Sequence, residues 1–149
     1  MKKKTMKPEL MLKAIEIAKK SDKDIPIGAV IVKNGEIISS AHNQREKDNI
    51  TTAHAEILAI QRANEKLNNW RLNDCEMYVT LEPCPMCASA IIQARISKVY
   101  FGAYDSLNGA LGSKCDMRQI MNCNNLEVIG GIKEEECTKI LKDYFSGLR

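Results

Sequence analysis

Apolar residues recur along this chain at two spacings, one typical of helices and the other typical of strands. Residues 8–20 carry apolar side chains three and four positions apart, with Pro8 suited to a first helical turn. Two apolar runs within residues 27–41 flank Asn34 and Gly35, and Asn-Gly is the dipeptide most typical of a two-residue hairpin turn. The amino-terminal part therefore predicts a helix followed by an antiparallel β-hairpin.

The rest of the chain alternates between predicted helices and strands. A polar loop over residues 42–52 precedes a helix over residues 53–67, for which Thr51 or Thr52 is the expected amino-terminal cap. The following elements are strand 75–81, helix 84–96, strand 98–103, a glycine-containing loop 106–113, helix 114–121, strand 126–131 and helix 133–148. This order predicts a single α/β domain over residues 1–149, a three-layer α/β/α sandwich with a mixed sheet of about five strands.

Composition is that of an ordinary soluble globular protein. The chain has 149 residues, of which 44% are hydrophobic and 28% are charged. A net charge of +3 permits a nucleic-acid partner without requiring one. No run of about 18 apolar residues is present, and the basic start MKKKTMKPEL has no apolar segment behind it, so neither a membrane helix nor a secretory signal is expected. We therefore expect a cytoplasmic protein with no membrane partner.

Two of the six cysteines, Cys84 and Cys87, form a close pair at the start of a predicted helix, and the other four are scattered. Cysteines of a cytoplasmic chain are more often free or metal-bound than joined in disulfides. Backbone N–H groups and the positive end of a helix stabilise thiolates, the form that binds metals. Taken alone, C-x-x-C also fits a redox pair or chance spacing, although the thioredoxin-like pattern that accompanies the redox motif is absent.

His54 and Glu56 open the preceding predicted helix. Alone, His54 would be read as a buried or capping residue, and Glu56 as a first-turn carboxylate favoured by the helix dipole. In a strand-helix layout, however, helix starts cluster at the carboxyl ends of strands, so His54 is expected near Cys84 and Cys87. Three protein ligands leave the fourth zinc position to water, as in catalytic sites, and Glu56 would lie close enough to carry a proton.

These motifs resemble a known enzyme superfamily. H-A-E at 54–56 and E-P-C-P-M-C at 82–87 match the H-x-E…P-C-x-x-C signature of the zinc-dependent cytidine deaminases. More closely, TAHAEILAI, WRLNDCEMYVTLEPCPMCASAII, RISKVYFGAYD and GALGS resemble the bacterial tRNA-specific adenosine deaminases, as do DIPIGAVIVKNGEIISSAHNQRE and EECTKILKDYFSGLR. The resemblance covers almost the whole chain. It implies a cytidine deaminase-like fold, one Zn²⁺ per chain held by His54, Cys84 and Cys87, and a homodimer.

The resemblance also implies a reaction, the hydrolysis of adenosine to inosine and ammonia at the wobble position of a tRNA anticodon. Zinc would supply activation of water near neutral pH. Glu56 would take a proton from that water and hand it to the ring nitrogen of the base. The same carboxylate would therefore act first as base and then as acid.

Several substrate contacts follow from the resemblance. Asn43 would bond the base or sugar edge, and the backbone near Ala55 would help to hold the base. Asp105 would contact the ribose near its 2′-hydroxyl, the group by which proteins distinguish RNA from DNA. Pro26 and Ile27 would form part of the pocket wall. For these residues the simpler alternatives are an exposed turn or loop residue for Asn43 and Asp105, and a purely structural core position for Pro26 and Ile27.

An anticodon stem-loop is the expected partner, because its loop already presents splayed bases to a buried metal site. The predicted RNA contacts are Arg45, Lys47, Lys114, Arg118, Arg149, Tyr144 and Phe145. Each basic residue is also consistent with an ordinary solvated charge, and each aromatic residue with a core position. After GALGS the chain reads KCDMRQIMNCNNLEVIGG, without the histidine and arginine of the F-N-H-R segment typical of relatives. This departure bears on RNA recognition more than on deamination.

Other functions remain open at this point. A free-base or nucleoside deaminase acting on guanine, cytosine or cytidine would use the same zinc chemistry, although FGAYD and GALGS favour the tRNA enzyme. A catalytically silent RNA-binding subunit is disfavoured, because some deaminase partners of that kind lose the glutamate that is kept here as Glu56. A closed structural zinc module would need Cys115 or Cys123 as its fourth ligand.

Overall fold

The computed structural model describes residues 6–147, which form a five-stranded sheet and six α-helices. The strands are β1 (Gly28–Lys33), β2 (Glu36–His42), β3 (Cys75–Leu81), β4 (Lys98–Ala103) and β5 (Glu127–Ile129). The helices are α1 (Pro8–Ala18), α2 (Arg45–Asp48), α3 (Ala55–Leu67), α4 (Pro85–Gln93), α5 (Met117–Ile120) and α6 (Glu134–Ser146).

The sheet is mixed, as the sequence predicts. Its strand order is β2-β1-β3-β4-β5, with β1 antiparallel to both β2 and β3, and with β3, β4 and β5 parallel. The β1–β2 turn has positive φ at both central residues, 53° at Asn34 and 80° at Gly35, as a hairpin turn that follows the strand twist requires. The predicted hairpin is therefore confirmed.

Two helical layers cover the two faces of the sheet. Alternate residues of each strand point to opposite faces. On one face Ile31 and Val79 pack in a core shared with α3 and α4, and on the other Val30 and Tyr78 pack with α1 and α6. The predicted three-layer α/β/α sandwich is thus confirmed, whereas one domain over the whole chain stays a prediction. Among residues 6–147, no helix combines the length and apolar character needed to cross a membrane.

The amino-terminal end of α3 differs from its prediction. The helix begins at Ala55 and its cap position is His54, so neither Thr51 nor Thr52 caps it. His54 has extended backbone angles, and its side chain makes no capping hydrogen bond. The ring faces two cysteines instead, so a contact with distant residues replaces the local cap. The predicted loop 42–52 also contains one helical turn, α2, which the polar sequence does not signal.

Other predicted helices and strands are shorter in the structure. Helix α4 ends at Gln93 and not at residue 96, because Arg95 adopts a left-handed φ of 70° before β4. Helix α5 begins at Met117 and not at residue 114. Asp116 is its cap residue, and its side chain accepts a hydrogen bond from the backbone N–H of Arg118. Strand β5 covers Glu127–Ile129 of the predicted 126–131, and α6 covers Glu134–Ser146 of the predicted 133–148.

Gly28 allows α1 to lie directly on the start of β1. A Cβ atom at this position would clash with the carbonyl oxygen of Ala14 and the backbone nitrogen of Ala18, neither of which can rotate away. We expect Gly28→Ala to lower the free energy of unfolding by about 1–3 kcal/mol, as overpacking does. Urea denaturation measures this. Gly147→Ala is the control and should have little effect, because a Cβ atom there makes only ordinary contacts. Equal stability of the two variants would contradict the close packing of α1 on Gly28.

Candidate active site

Three potential metal ligands meet at the starts of α3 and α4. His54 and Cys84 occupy the cap positions of these helices, and Cys87 lies in the first turn of α4. The Nδ1 atom of His54 lies 3.7 Å from the sulfur of Cys84 and 3.5 Å from that of Cys87. Within residues 6–147, these three form the one group of three or more His, Cys, Asp or Glu residues whose ligand atoms all lie within 4.8 Å of one another.

The spacing of these atoms fits a tetrahedral zinc ion. An ion about 2.0–2.1 Å from an imidazole nitrogen and about 2.3 Å from a thiolate places the two ligand atoms about 3.5 Å apart. The two observed nitrogen–sulfur distances, 3.7 and 3.5 Å, agree with this value. One nitrogen and two sulfurs are also a donor set that zinc accepts in catalytic sites. The side chains present therefore fit the metal in both chemistry and spacing.

The electrostatics of the cysteine pair favour a thiolate at Cys84. A hydrogen bond from the Cys87 thiol, with help from His54, lowers the pKa of Cys84 to about 4. The pKa of Cys87 is raised, since its thiol proton is shared with Cys84 and the side chain is buried. A bound divalent cation would favour deprotonation of both sulfurs. Without a metal, the pair thus favours one thiolate, at Cys84, and one thiol, at Cys87.

Glu56 lies beside the three ligands, in the first turn of α3. Its side chain is buried, with the residue only 4% exposed, and it borders the same cavity as His54 and Cys84. Burial raises the pKa of this carboxyl to about 7, because water no longer solvates the charged form. A carboxyl that titrates near neutrality can both take up and release a proton under the same conditions.

A cavity of about 300 Å³ lies next to these side chains. This is a size typical of small-ligand pockets. Its walls come from five segments of the chain, and the lining residues are Ile25, Ile27, Asn43, Arg45, His54, Glu56, Leu81, Glu82, Cys84, Asp105 and Asn108. Of the predicted substrate contacts, Ile27, Asn43 and Asp105 line the cavity, whereas Pro26 and Ala55 do not.

Asn43 is held firmly in the cavity wall and is only 5% exposed. Its amide nitrogen donates to the carbonyl of Ile25 at 3.2 Å, and its Oδ1 accepts from the backbone N–H of Arg45 at 3.3 Å. One amide hydrogen and one lone pair remain for a ligand. The side chain is therefore oriented by the protein and can still offer both a donor and an acceptor.

Several of the lining residues had no role predicted from the sequence. Glu82 stands directly before the Pro83-Cys84 motif, and Asn108 belongs to the loop after β4. Ile25 and Leu81 add apolar surface beside them. Glu82 belongs to the E-P-C motif, but nothing in the sequence indicated that its side chain would bond the stretch from Asp105 to Ser113 after β4, here called the 105–113 loop.

Comparison with known proteins identifies the family. A family model described as cytidine and deoxycytidylate deaminase zinc-binding region matches residues 4–103. The chain belongs to this deaminase family. This membership confirms the predicted enzyme class, a deaminase, and the predicted cofactor, zinc.

Individual relatives of this deaminase are similar over most of its length. It is 47% identical over 142 residues to a tRNA-specific adenosine deaminase of Bacillus subtilis, which covers 93% of this chain and 88% of the relative. A solved structure from work on A-to-I editing by tRNA:A34 deaminases at the wobble position matches with a TM-score of 0.83 and 38% identity, over 91% of this chain and 100% of the other. The guanine deaminase of Bacillus subtilis matches with a TM-score of 0.63 and 39% identity, over 67% of this chain and 66% of the other.

The deaminase site leaves no role for a fourth protein ligand from the scattered cysteines. Within residues 6–147, neither Cys115 nor Cys123 joins the group formed by His54, Cys84 and Cys87. The closed structural zinc module considered from the sequence therefore has no support in the described part of this deaminase.

Of the predicted RNA contacts, Arg45 lines the cavity of the deaminase, whereas Lys47, Lys114, Arg118, Tyr144 and Phe145 do not. Lys114 is exposed after the 105–113 loop, and Phe145 is 53% exposed on α6, where it borders a separate surface groove. The guanidinium of Arg118 is engaged with the carboxylate of Asp116 at 2.7 Å. Arg149 lies outside the described residues. All seven stay predictions.

Asp24 fixes the part of the cavity wall that carries Arg45. Its carboxylate is only 1% exposed and accepts from the backbone N–H groups of Glu46 at 2.6 Å and Lys47 at 3.1 Å, so it caps α2 from outside the helix. We expect Asp24→Ala to lower the free energy of unfolding by about 1–3 kcal/mol, because both N–H groups lose their acceptor. Chemical denaturation checks this value.

The matched control for that substitution is Asp143→Ala. This carboxylate is exposed, and among residues 6–147 its one ion pair is with Lys139, across one helical turn. Exposed pairs of this kind contribute at most about 1 kcal/mol, so the control should remain near wild-type stability. An Asp24→Ala variant as stable as the control would show that the cap is dispensable.

Proposed function

We propose that this chain deaminates adenosine to inosine at the wobble position of a tRNA anticodon. The observation that carries the proposal is the buried Glu56 carboxyl beside His54 and the cysteine pair, in a cavity that is also lined by Asn43 and Asp105. His54, Cys84 and Cys87 would hold one zinc ion, and Glu56 would carry the proton.

The chemistry divides between the metal and the protein. When bound, zinc supplies Lewis-acid activation of a water molecule. Glu56 accepts a proton from that water and delivers it to the ring nitrogen next to the reacting carbon. Oxygen would add to the carbon that bears the exocyclic amine, and Glu56 would pass the proton of the added hydroxyl to that amine. The carbon–nitrogen bond would then break, leaving the carbonyl of inosine and free ammonia. Glu56 ends the cycle in its starting state, which suits a carboxyl whose pKa lies near 7.

Two side chains would position the nucleoside. Asn43 would offer its remaining N–H and lone pair to the base or sugar edge. Asp105 already accepts from the backbone N–H groups of Leu107 and Asn108 through Oδ1, at 3.1 and 3.0 Å. Its Oδ2 has no protein donor among residues 6–147. This oxygen would accept a hydrogen bond from the 2′-hydroxyl of the ribose. The backbone at Ala55 and the neighbouring Pro26 would support this arrangement without lining the cavity.

A tRNA loop is favoured over a free base as the substrate. Among the solved structures, the similarity to the tRNA:A34 deaminase covers 91% of this chain with a TM-score of 0.83, whereas the similarity to the guanine deaminase covers 67% with a TM-score of 0.63. The exposed Arg45 and Asn108 on the cavity wall also provide polar groups for the nucleotides next to the target base. Deamination of guanine is the second candidate function, because the similarity to the guanine deaminase includes a solved structure.

Beyond its cavity, the enzyme is expected to contact RNA and a second copy of its own chain. The anticodon stem-loop would be its macromolecular partner, with Lys114, Arg118, Arg149 and Phe145 as RNA contacts. The chain would act in the cytoplasm as a homodimer. Light scattering on the purified, zinc-loaded protein tests the dimer directly, and a monomeric mass would contradict it.

A parallel assay of substrates tests the proposed function. The zinc-loaded protein would be incubated with an anticodon stem-loop that has adenosine at the wobble position, and separately with guanine, cytosine and cytidine. We expect inosine and ammonia from the stem-loop and no ammonia from the small molecules. Ammonia from guanine, with an unchanged stem-loop, would replace this proposal by the second candidate function.

A further inference from the structure

The carboxylate of Glu82 is the centre of a hydrogen-bond network outside the metal-binding group. The residue is only 2% exposed and follows the end of β3. Its Oε1 accepts from the backbone N–H of Asp105 at 3.1 Å and from the hydroxyl of Ser113 at 2.5 Å. Its Oε2 accepts from the backbone N–H groups of Leu111 at 3.2 Å and Ser113 at 3.0 Å. One side chain thus bonds both ends of the 105–113 loop.

The loop is built closely around this carboxylate. A Cβ atom at Gly109 would clash with the Glu82 side chain and with the carbonyl oxygen of Asp105, so only glycine fits there. The backbone N–H of Gly109 donates to that same carbonyl at 2.9 Å, and the N–H of Ala110 donates to Pro83 at 2.8 Å. Among the described residues, no lysine, arginine or histidine forms an ion pair with Glu82. Within residues 6–147, both oxygens of this side chain accept hydrogen bonds from the 105–113 loop alone.

The network also connects two parts of the active site. Glu82 lies two residues before Cys84 in the chain, and its bond to Asp105 fixes the first residue of the loop. Asp105 and Asn108 both line the cavity, and both belong to the segment that Glu82 holds. A shift of this loop would therefore move the Asp105 carboxylate relative to the metal ligands without altering those ligands.

We propose that Glu82 is a positioning residue, which holds the 105–113 loop so that Asp105 meets the ribose of the target nucleotide. This inference rests on the proposed function. Glu82 itself makes no proton transfer and binds no metal in this role. Its effect should therefore appear in the selection of a ribose over a deoxyribose at the target nucleotide.

The test compares two stem-loop substrates that differ only in the 2′-hydroxyl of the target adenosine. The measured quantity is the ratio of kcat/KM for the ribose substrate to kcat/KM for the 2′-deoxy substrate. Glu82→Gln replaces one acceptor oxygen by a donor, which faces two donors of the loop. We expect the ratio to fall by about tenfold to a hundredfold, the effect of a weakened hydrogen bond to a charged group, with zinc still bound. Ser113→Ala removes one of the four bonds and should give a smaller fall.

Ser39→Ala serves as the matched control. Its hydroxyl is buried and donates to the carbonyl of Ala59 at 2.8 Å, away from the 105–113 loop, so the control loses a buried hydrogen bond without touching the network. Its ratio should equal that of the wild type. An unchanged ratio in Glu82→Gln and Ser113→Ala, with a wild type that prefers ribose, would overturn the positioning role.

Amide hydrogen exchange on the zinc-loaded proteins separates this inference from the proposed function. In Glu82→Gln the backbone N–H groups of Asp105, Leu111 and Ser113 should exchange faster than in the wild type and in Ser39→Ala. Unchanged protection of these amides would overturn the inference even if the wild type edits RNA. A wild type that is inactive on the stem-loop would refute the proposed function, and with it the ribose contact, whatever the exchange of the loop.

Discussion

Glu56→Gln is expected to lower deamination of an anticodon stem-loop by about 10²–10⁴-fold, the usual contribution of a general acid–base residue, while zinc stays bound. The amide has nearly the shape of the carboxyl, so the buried site should keep its packing. It cannot accept a proton from water at neutral pH and return it to the base. Single-turnover kinetics on the stem-loop, together with metal analysis of the same sample, measures both parts of the result.

Glu65→Gln is the matched control for this variant. Glu65 lies on the same helix, α3, but is exposed and does not border the cavity. Its turnover should match that of the wild type. Turnover near the wild-type rate in Glu56→Gln would refute the role assigned to Glu56, whereas loss of zinc would show that Glu56 helps to build the metal site.

Cys87→Ser should reduce bound zinc from about one ion per chain to nearly none, and deamination should be lost with it. A serine hydroxyl is a poor ligand at neutral pH, and two remaining protein ligands do not satisfy a tetrahedral zinc ion. Because metal binding to a preformed site stabilises the folded state, the variant should also unfold at a lower temperature than the zinc-loaded wild type. Treatment of the wild type with a strong chelator should reproduce the loss of activity, and added zinc should reverse it.

Cys115→Ser tests whether any cysteine substitution would have this effect. Cys115 is partly buried and lies outside the group that contains His54, Cys84 and Cys87. The control should retain one zinc ion and full activity. Full zinc occupancy in Cys87→Ser, or loss of zinc in Cys115→Ser, would each require a different ligand set.

The metal-binding group could be predicted because its information is local. H-A-E and P-C-x-x-C each stand at the start of a helix, and helix starts in a strand-helix fold meet at one edge of the sheet. His54, Cys84 and Cys87 accordingly come together in the structure, with Glu56 beside them. The sheet was predictable for a related reason, since alternating apolar runs and the Asn-Gly turn specify strands within a few residues.

The contacts that shape the cavity could not be predicted, because they join distant segments. Asp24 caps α2 from 22 residues away, and the polar stretch that it caps has no helical period. Glu82 reaches the backbone of Ser113 across 31 positions. His54 takes the cap position that was assigned to Thr51 or Thr52, because its backbone conformation accompanies the contact with the cysteines. No propensity scale encodes such contacts.

Chemistry and substrate choice therefore depend on different parts of the molecule. In the proposed function, the reaction depends on two short motifs, whose side chains are positioned by the helix starts. In the same proposal, the choice of substrate depends on the cavity wall, which includes Arg45 of α2, the 25–27 segment and the 105–113 loop. Since Asp24 and Glu82 hold two of these segments, substitutions there should alter the preference among substrates more than the binding of zinc.

The most direct measurement is sequencing of the reaction product from an anticodon stem-loop with adenosine at the wobble position and at one other loop position. The zinc-loaded wild type should convert the wobble adenosine to inosine, which is read as guanosine after reverse transcription, and should leave the other adenosine unchanged. Free guanine, offered in a parallel reaction, should release no ammonia. An unedited wobble adenosine, together with release of ammonia from guanine, would contradict the proposed editing of tRNA.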